Sequence, residues 1–310
     1  MLSSVAVSWT ISQGLDTSRR TGAARCCDRP LNPSANRMPQ ILPYLLCSAL
    51  YAAVAALLVR TLSRPQSQHP SRLRMLHAAT ALPLVLHTML LYRSMFPGHQ
   101  MYLGVGDFIS AILWLTVLIY WLFGFFHRIE GLQVFILSAA AILLWTSVAV
   151  PSVRALEHTD LPAFRAHLLI SLLAYSLFTI AALQALIIAV LERRLHGGRL
   201  PPFLQSLPPL LTMEQLLFRI IAVGFVLLTL TLGTGMFFSE ELFGQPLNKL
   251  MTHKVASGIV AWCIFAALLV GRYVYGWRGR RALLWTLAGF LTLVVAYIGG
   301  KFVLEVVLRS

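Results

Sequence analysis

The chain has 310 residues, of which 58% are hydrophobic and only 12% are charged, and its mean hydropathy is +0.75. So few charges cannot cover a water-soluble protein of this length, and the composition therefore predicts a lipid bilayer as the main surroundings. The net charge of +14 comes from short basic clusters between apolar stretches, which favours anionic lipid headgroups as the partner and argues against nucleic acid.

Residues 1–37 form a polar, arginine-rich tail that differs from the rest of the chain. The tail has no apolar stretch long enough for a signal peptide, and Met38 opens a strongly hydrophobic region. We expect residues 1–37 either to be a disordered basic tail or to precede a true start at Met38. Residues 38–310 are expected to form the transmembrane domain.

Apolar stretches of about 20 residues recur from Met38 onward, and each can cross a hydrocarbon core of about 30 Å. The predicted fold class is therefore all-α, a polytopic transmembrane bundle of about eight membrane-spanning helices. The predicted spans are Ile41–Leu62, Leu73–Tyr92, Val105–Phe126, Leu132–Val150, Phe164–Leu191, Gln215–Phe238, Val255–Tyr275 and Ala282–Val307.

Arginines are concentrated in the loops after the first, third, fifth and seventh spans, whereas the alternate loops hold most of the acidic residues. Because basic loops stay on the cytoplasmic side, both termini are predicted to lie outside. The five arginines of residues 1–37 would then have to cross the membrane, and a start at Met38 would remove that conflict.

Three histidines are predicted near the outer side, each on a different span. His87 lies 14 residues after Leu73, about 21 Å along the second helix at 1.5 Å per residue. His167 is near the start of the fifth span, and His253 is at the outer end of the seventh. Ionisable groups at membrane depth often mark functional sites, and imidazole is a common axial ligand of haem iron. The alternative is that each histidine hydrogen bonds locally, independently of the others.

Two basic residues adjoin these histidines. Arg165 and Lys254 could pair with haem propionates, or could anchor their helices at the interface with the charged heads in water. Walker, Rossmann, HExxH and GxSxG patterns are absent from the sequence, and no CxxC or zinc-like spacing is present. We therefore expect the protein not to be an enzyme.

Three segments resemble the cytochrome c assembly protein family, in particular its YpjD-like inner-membrane branch, with HemX-like and CcsA-like proteins related to it. They read HLLISLLAYSLFTIAALQALIIAVLERRL, LPPLLTMEQLLFRIIAVGFVLLTLTLGTG and HKVASGIVAWCIFAALLVGRYVYGWRGRRA, in the family's order. The resemblance extends from Met38 to the C-terminus. The residues that it carries over are His253, which opens the HK motif, His167, and also His87.

The resemblance implies a haem-handling protein of the bacterial inner membrane, with periplasmic termini and with cytochrome c maturation proteins as possible partners. It implies a haem b held near the outer face by two of the three histidines, with His167 and His253 as the iron ligands. Haem-presenting family members carry a Trp-rich external loop, but here the corresponding loop, SEELFGQPLNKLMTHK, contains no Trp. A membrane regulator of haem synthesis therefore stays open, as does a small-solute or ion permease without haem.

Overall fold

The computed structural model describes residues 38–63, 70–96, 101–126, 130–150, 161–196, 202–205, 207–237 and 253–302. In these ranges the regular elements are helices, apart from an isolated bridge residue at Tyr102. They are α1 (Met38–Leu62), α2 (Pro70–Ala79), α3 (Ala81–Met95), α4 (Val105–Gly124), α5 (Glu130–Leu143), α6 (Thr146–Ala149), α7 (Pro162–His196), α8 (Pro202–Gln205), α9 (Leu210–Phe237), α10 (His253–Tyr273) and α11 (Arg280–Phe302). The predicted all-α fold is confirmed.

Seven of the eight predicted spans correspond to helices that are long and apolar enough to cross a membrane. In two of them a short break divides the span, into α2 and α3 and into α5 and α6. The eighth prediction, Ala282–Val307, corresponds to α11 and continues past the described residues. The protein is therefore a multi-pass membrane protein. The predicted tail, residues 1–37, lies outside the described part of the chain.

The break between α2 and α3 falls at Thr80, within the predicted second span. Pro83 cannot donate a hydrogen bond to the carbonyl four residues before it, and a helix is readily interrupted there. The hydroxyl of Thr80 donates to the Leu76 carbonyl at 3.3 Å and accepts from Nε2 of Gln133 on α5 at 2.9 Å. The side chain at the break is thus hydrogen bonded to a neighbouring helix.

Helices α7, α9, α10 and α11 form a four-helix group in which each helix packs against two others. Helix α9 contacts α7 and α10, and α11 contacts α10 and α7, so the four make a closed ring with α7 and α10 diagonally opposed. We call this group the C-terminal bundle. The sequence motifs that carry the family resemblance all lie within it or at its ends.

A pair of stacked aromatic rings fills the middle of the C-terminal bundle. The rings of Phe178 on α7 and Phe265 on α10 lie 4.0 Å apart, and both side chains are fully buried. Gly224 on α9 and Gly289 on α11 make room for them, because an added Cβ would lie 3.2 Å from the Phe178 ring and 2.8 Å from the Phe265 ring, respectively. All four helices therefore contribute to this contact.

The preceding helices pack around α4, which contacts α3, α5, α6 and α7. Helix α1 is connected to this group by hydrogen bonds of its side chains to backbone carbonyls. Ser48 donates to the carbonyl of Ala141 at 2.7 Å, and the Cys47 thiol donates to the carbonyl of Pro83 at 3.5 Å. Helix α4 thereby connects the N-terminal helices with α7 of the C-terminal bundle.

Candidate functional site

His167 lies in the second turn of α7, half-buried, and its ring faces α9. Its Nδ1 is 2.9 Å from the hydroxyl of Thr234, which itself donates to the Leu230 carbonyl at 2.8 Å. A hydroxyl hydrogen directed at that carbonyl leaves the Thr234 oxygen to accept a hydrogen bond from Nδ1 of His167. This geometry favours the tautomer with the lone pair on Nε2, the arrangement that second-shell partners impose on metal-binding histidines.

Gly235 adjoins the imidazole of His167. An added Cβ at Gly235 would lie 3.5 Å from Cε1 of His167, which is ordinary van der Waals contact. Helix α9 therefore presents the hydroxyl of Thr234 and the backbone of Gly235 to the ring. The hydroxyl orients the imidazole, and the glycine places no side chain beside it.

His253 is the first residue of α10, and its side chain lies outside the described residues. Its level in the bundle follows from two contacts between α10 and α9. Trp262 Nε1 donates to the Thr229 hydroxyl at 2.9 Å, and an added Cβ at Gly258 would lie 3.1 Å from Leu232. These pairs show that α9 and α10 are antiparallel, so His253 is level with Phe237 at the end of α9. At 1.5 Å per residue, this level is about 4.5 Å beyond Thr234 along the helix axis.

The stacked phenylalanines give a second estimate of the same levels. His167 is eleven residues before Phe178, and His253 is twelve residues before Phe265. At 1.5 Å per residue, both histidine positions lie about 16–18 Å from the ring pair, at the same end of the bundle. Two of the three predicted ligands therefore belong to one mouth of the C-terminal bundle, on its diagonally opposed helices.

The predicted propionate partners lie at this mouth. Arg165 is exposed on the first turn of α7, two residues before His167. Lys254 is the second residue of α10, and its side chain lies outside the described residues. Both roles stay predictions.

His87 belongs to a different neighbourhood, among the N-terminal helices. Its side chain is fully buried, with Nδ1 3.2 Å from the Tyr51 hydroxyl of α1 and Nε2 2.9 Å from the Ser110 hydroxyl of α4. Both ring nitrogens thus have partners, and binding iron would require one of these hydrogen bonds to break. The ligand role of His87 stays a prediction, but the geometry favours His167 over it.

A second cluster of polar side chains lies next to the cluster around His87, nearer the ends of α1, α3 and α4. The Ser94 hydroxyl donates to the Asp107 carboxylate at 2.6 Å, and Asp107 is fully buried in the first turn of α4. Tyr44 of α1 lies beside Ser94. Sequence reasoning missed the hydroxyl partners of both groups. In the sequence, Tyr44 and Tyr51 on α1 are seven residues apart, as are His87 and Ser94 on α3, and Asp107 and Ser110 on α4 are three apart. These helical spacings are the only signal that could have found the two clusters.

The opposite end of the C-terminal bundle holds an ion pair between two motif residues. Arg272 of α10 donates to the Glu214 carboxylate of α9 at 3.0 Å, and their side chains are only 15% and 12% exposed. Arg272 also donates to the carbonyl of Trp277 at 3.1 Å and lies 4.5 Å above the Phe218 ring. Glu214 of the ME pair in one motif and Arg272 in another thus meet in a structural contact between helices.

The turn after α10 brings Trp277 back to this ion pair. Gly276 has a φ of +67°, and the amide of Trp277 donates to the carbonyl of Gly271 at 2.9 Å, as expected of a glycine-terminated helix. Gly271 leaves room for the indole of Trp277, which an added Cβ would strike. Both glycines are therefore required by the geometry of the turn.

Residues 75–308 match the family described as "Cytochrome C assembly protein". The chain belongs to this family. It is 39% identical over 146 residues to inner membrane protein YpjD of Escherichia coli (strain K12), an alignment that covers 47% of this chain and 54% of that relative. It is 38% identical over 87 residues to cytochrome c biogenesis protein CcsA of Prochlorococcus marinus (strain MIT 9303), covering 28% of this chain and 27% of that relative.

The alignments span about half of YpjD and about a quarter of CcsA. No solved structure matches the chain. The predicted membership of the cytochrome c assembly family is thus confirmed, and so is the predicted likeness to YpjD and CcsA.

Proposed function

We propose that the protein binds a haem b at the mouth of the C-terminal bundle, with His167 and His253 as axial ligands, and takes part in cytochrome c biogenesis. The observation that carries this proposal is the position of these two residues, at neighbouring levels on diagonally opposed helices of one bundle. A pair of imidazoles from opposite sides is one arrangement that gives a six-coordinate haem iron.

The residues at this mouth fit such a group. The contact between Nδ1 of His167 and the Thr234 hydroxyl favours a lone pair on Nε2, the atom that would bind the iron. Gly235 keeps bulk away from the ring, and Arg165 supplies a positive charge at the rim that suits a propionate. Haem b would supply one-electron redox chemistry or serve as cargo, and we assign no bond-making chemistry to the protein itself.

The family and the relatives support the biological setting. The CcsA relative is named for cytochrome c biogenesis, and the YpjD relative is named as an inner membrane protein. We infer a bacterial inner-membrane location with both termini on the periplasmic side, which places the mouth with His167 and His253 at the periplasmic surface. Other maturation proteins are the partners expected there.

The proposal is tested by titrating the purified full-length protein with haemin in detergent and recording the Soret band. We expect stoichiometric binding and a six-coordinate spectrum, with a loss of affinity of at least tenfold in His167→Ala and in His253→Ala. His196→Ala is the matched control, because it removes an imidazole from the opposite end of α7 and should leave both the affinity and the six-coordinate spectrum unchanged.

The same titration separates the alternatives. If His87→Ala abolishes the spectrum while His167→Ala leaves it unchanged, the haem lies among the N-terminal helices and the proposed site is wrong. A wild-type protein that takes up no haemin would favour the permease without haem.

A further inference from the structure

A groove of about 150 Å³ runs along the surface between α5, α7 and α8. Its lining is wholly apolar: Phe135, Leu183, Leu186, Ile187, Val190 and Leu204. Leu186 and Val190 are 53% and 44% exposed, and in a membrane-spanning helix such side chains face lipid. The groove is therefore a surface recess of the size and polarity that suit part of an acyl chain.

The lining on α7 leads directly to two arginines. Leu183, Ile187, Val190 and Arg194 are spaced by four, three and four residues, which places them on one face of the helix. Arg193 and Arg194 come one turn after Val190, about 4.5–6 Å further along the axis, and both are exposed. Two positive charges thus stand at one end of the apolar groove.

The acidic neighbour of these arginines points elsewhere. An added Cβ at Gly279, in the turn before α11, would lie 3.8 Å from Oε1 of Glu192. Glu192 therefore lies towards the C-terminal bundle, whereas the groove lies towards α5 and α8. The exposed charges of Arg193 and Arg194 at this end of the groove complement an anion.

We propose that this groove binds an anionic phospholipid, with an acyl chain along the apolar lining and the phosphate at Arg193 and Arg194. Basic residues at the membrane ends of helices recruit anionic headgroups, and guanidinium groups bind phosphate oxygens in a bidentate manner. The apolar lining lies deeper in the membrane and the two arginines lie at its end, which matches the order of acyl chain and phosphate in a phospholipid. The inference does not rest on the haem site, which is at the other end of α7.

Native mass spectrometry of the full-length protein tests the headgroup contact. Protein from micelles with equal phosphatidylglycerol and phosphatidylethanolamine should retain phosphatidylglycerol preferentially. Arg193→Gln/Arg194→Gln should lower that retention about tenfold. Arg72→Gln/Arg74→Gln is the matched control, because it removes the same charge from exposed positions on α2, outside the groove. Equal losses in the two double variants, or no loss in the first, would overturn the proposal.

Two further measurements test the acyl-chain contact. Leu186→Trp fills the groove at an exposed position where the fold tolerates a larger side chain, and it should lower phosphatidylglycerol retention with both arginines intact. Glycerol phosphate, the headgroup without chains, should not displace the lipid at millimolar concentration. Full retention by Leu186→Trp, or displacement by glycerol phosphate, would show that the groove is not the binding site.

Discussion

The space beside three glycines of the C-terminal bundle predicts how much an alanine at each position changes the free energy of unfolding. At Gly289 an added Cβ would be 2.8 Å from the Phe265 ring, at Gly224 3.2 Å from the Phe178 ring, and at Gly233 it would meet nothing within 4 Å. Alanine gains about 1 kcal/mol over glycine in a helix, whereas overpacking a close-packed core costs about 1–3 kcal/mol.

Gly233→Ala should therefore be neutral or stabilising, Gly224→Ala near neutral, and Gly289→Ala destabilising by about 1–3 kcal/mol relative to Gly233→Ala. The Phe265 ring cannot move away, because it is fully buried and stacked 4.0 Å from Phe178. Unfolding in sodium dodecyl sulfate, followed by tryptophan fluorescence, measures the free energy of unfolding of each variant.

A rescue experiment tests the cause of the loss. Phe265→Leu removes the atoms nearest to the added methyl, so Gly289→Ala should cost less in the Phe265→Leu background than in the wild type. If Gly289→Ala is as stable as Gly233→Ala, or if the two changes are simply additive, the close contact between α10 and α11 is not as described.

Three further predictions concern single contacts. Glu214→Gln should lower the free energy of unfolding by about 3 kcal/mol, because it leaves the largely buried guanidinium of Arg272 without its counter-ion, and the same unfolding assay measures it. Thr234→Val should weaken haemin binding by about 10–100-fold without removing a ligand, because His167 loses the partner that orients it, and a Soret titration measures the change. His87→Leu should destabilise the protein by about 1–3 kcal/mol, because it leaves buried hydroxyls without a partner, yet it should leave haemin affinity unchanged.

The membrane-spanning helices could be predicted from the sequence because apolar length alone determines which segments can cross a bilayer. The break at Thr80 and the short helix α8 were not predicted. Pro83 marks the break in the sequence, but the hydrogen bond from Gln133 to Thr80 and the contact of Phe203 on α8 with Phe135 on α5 join residues far apart in the chain. His77 shows the same limit. Its side chain is 6% exposed, with Nδ1 3.0 Å from the amide oxygen of Gln133, a partner 56 residues away in the sequence.

The candidate site residues stay predictions, but their levels along the helices could be worked out from the sequence. Counting residues along each predicted span gives the depth of its histidine in the membrane. The same rise of 1.5 Å per residue gives the levels of His167 and His253 in the C-terminal bundle. Depth says nothing about which helices are neighbours, and therefore His87 could not be separated from the other two until its contacts with Tyr51 and Ser110 were seen. Thr234 was missed for the same reason, since its contact with His167 depends on the register between α7 and α9.

Electron paramagnetic resonance of the ferric, haem-loaded protein tests most directly whether opposed histidines at one mouth of the C-terminal bundle bind one iron. The wild type should give a low-spin signal typical of two imidazole ligands. His167→Gly and His253→Gly should each give a high-spin signal, and added imidazole should restore the low-spin state in both. A low-spin signal that survives both substitutions would contradict this assignment.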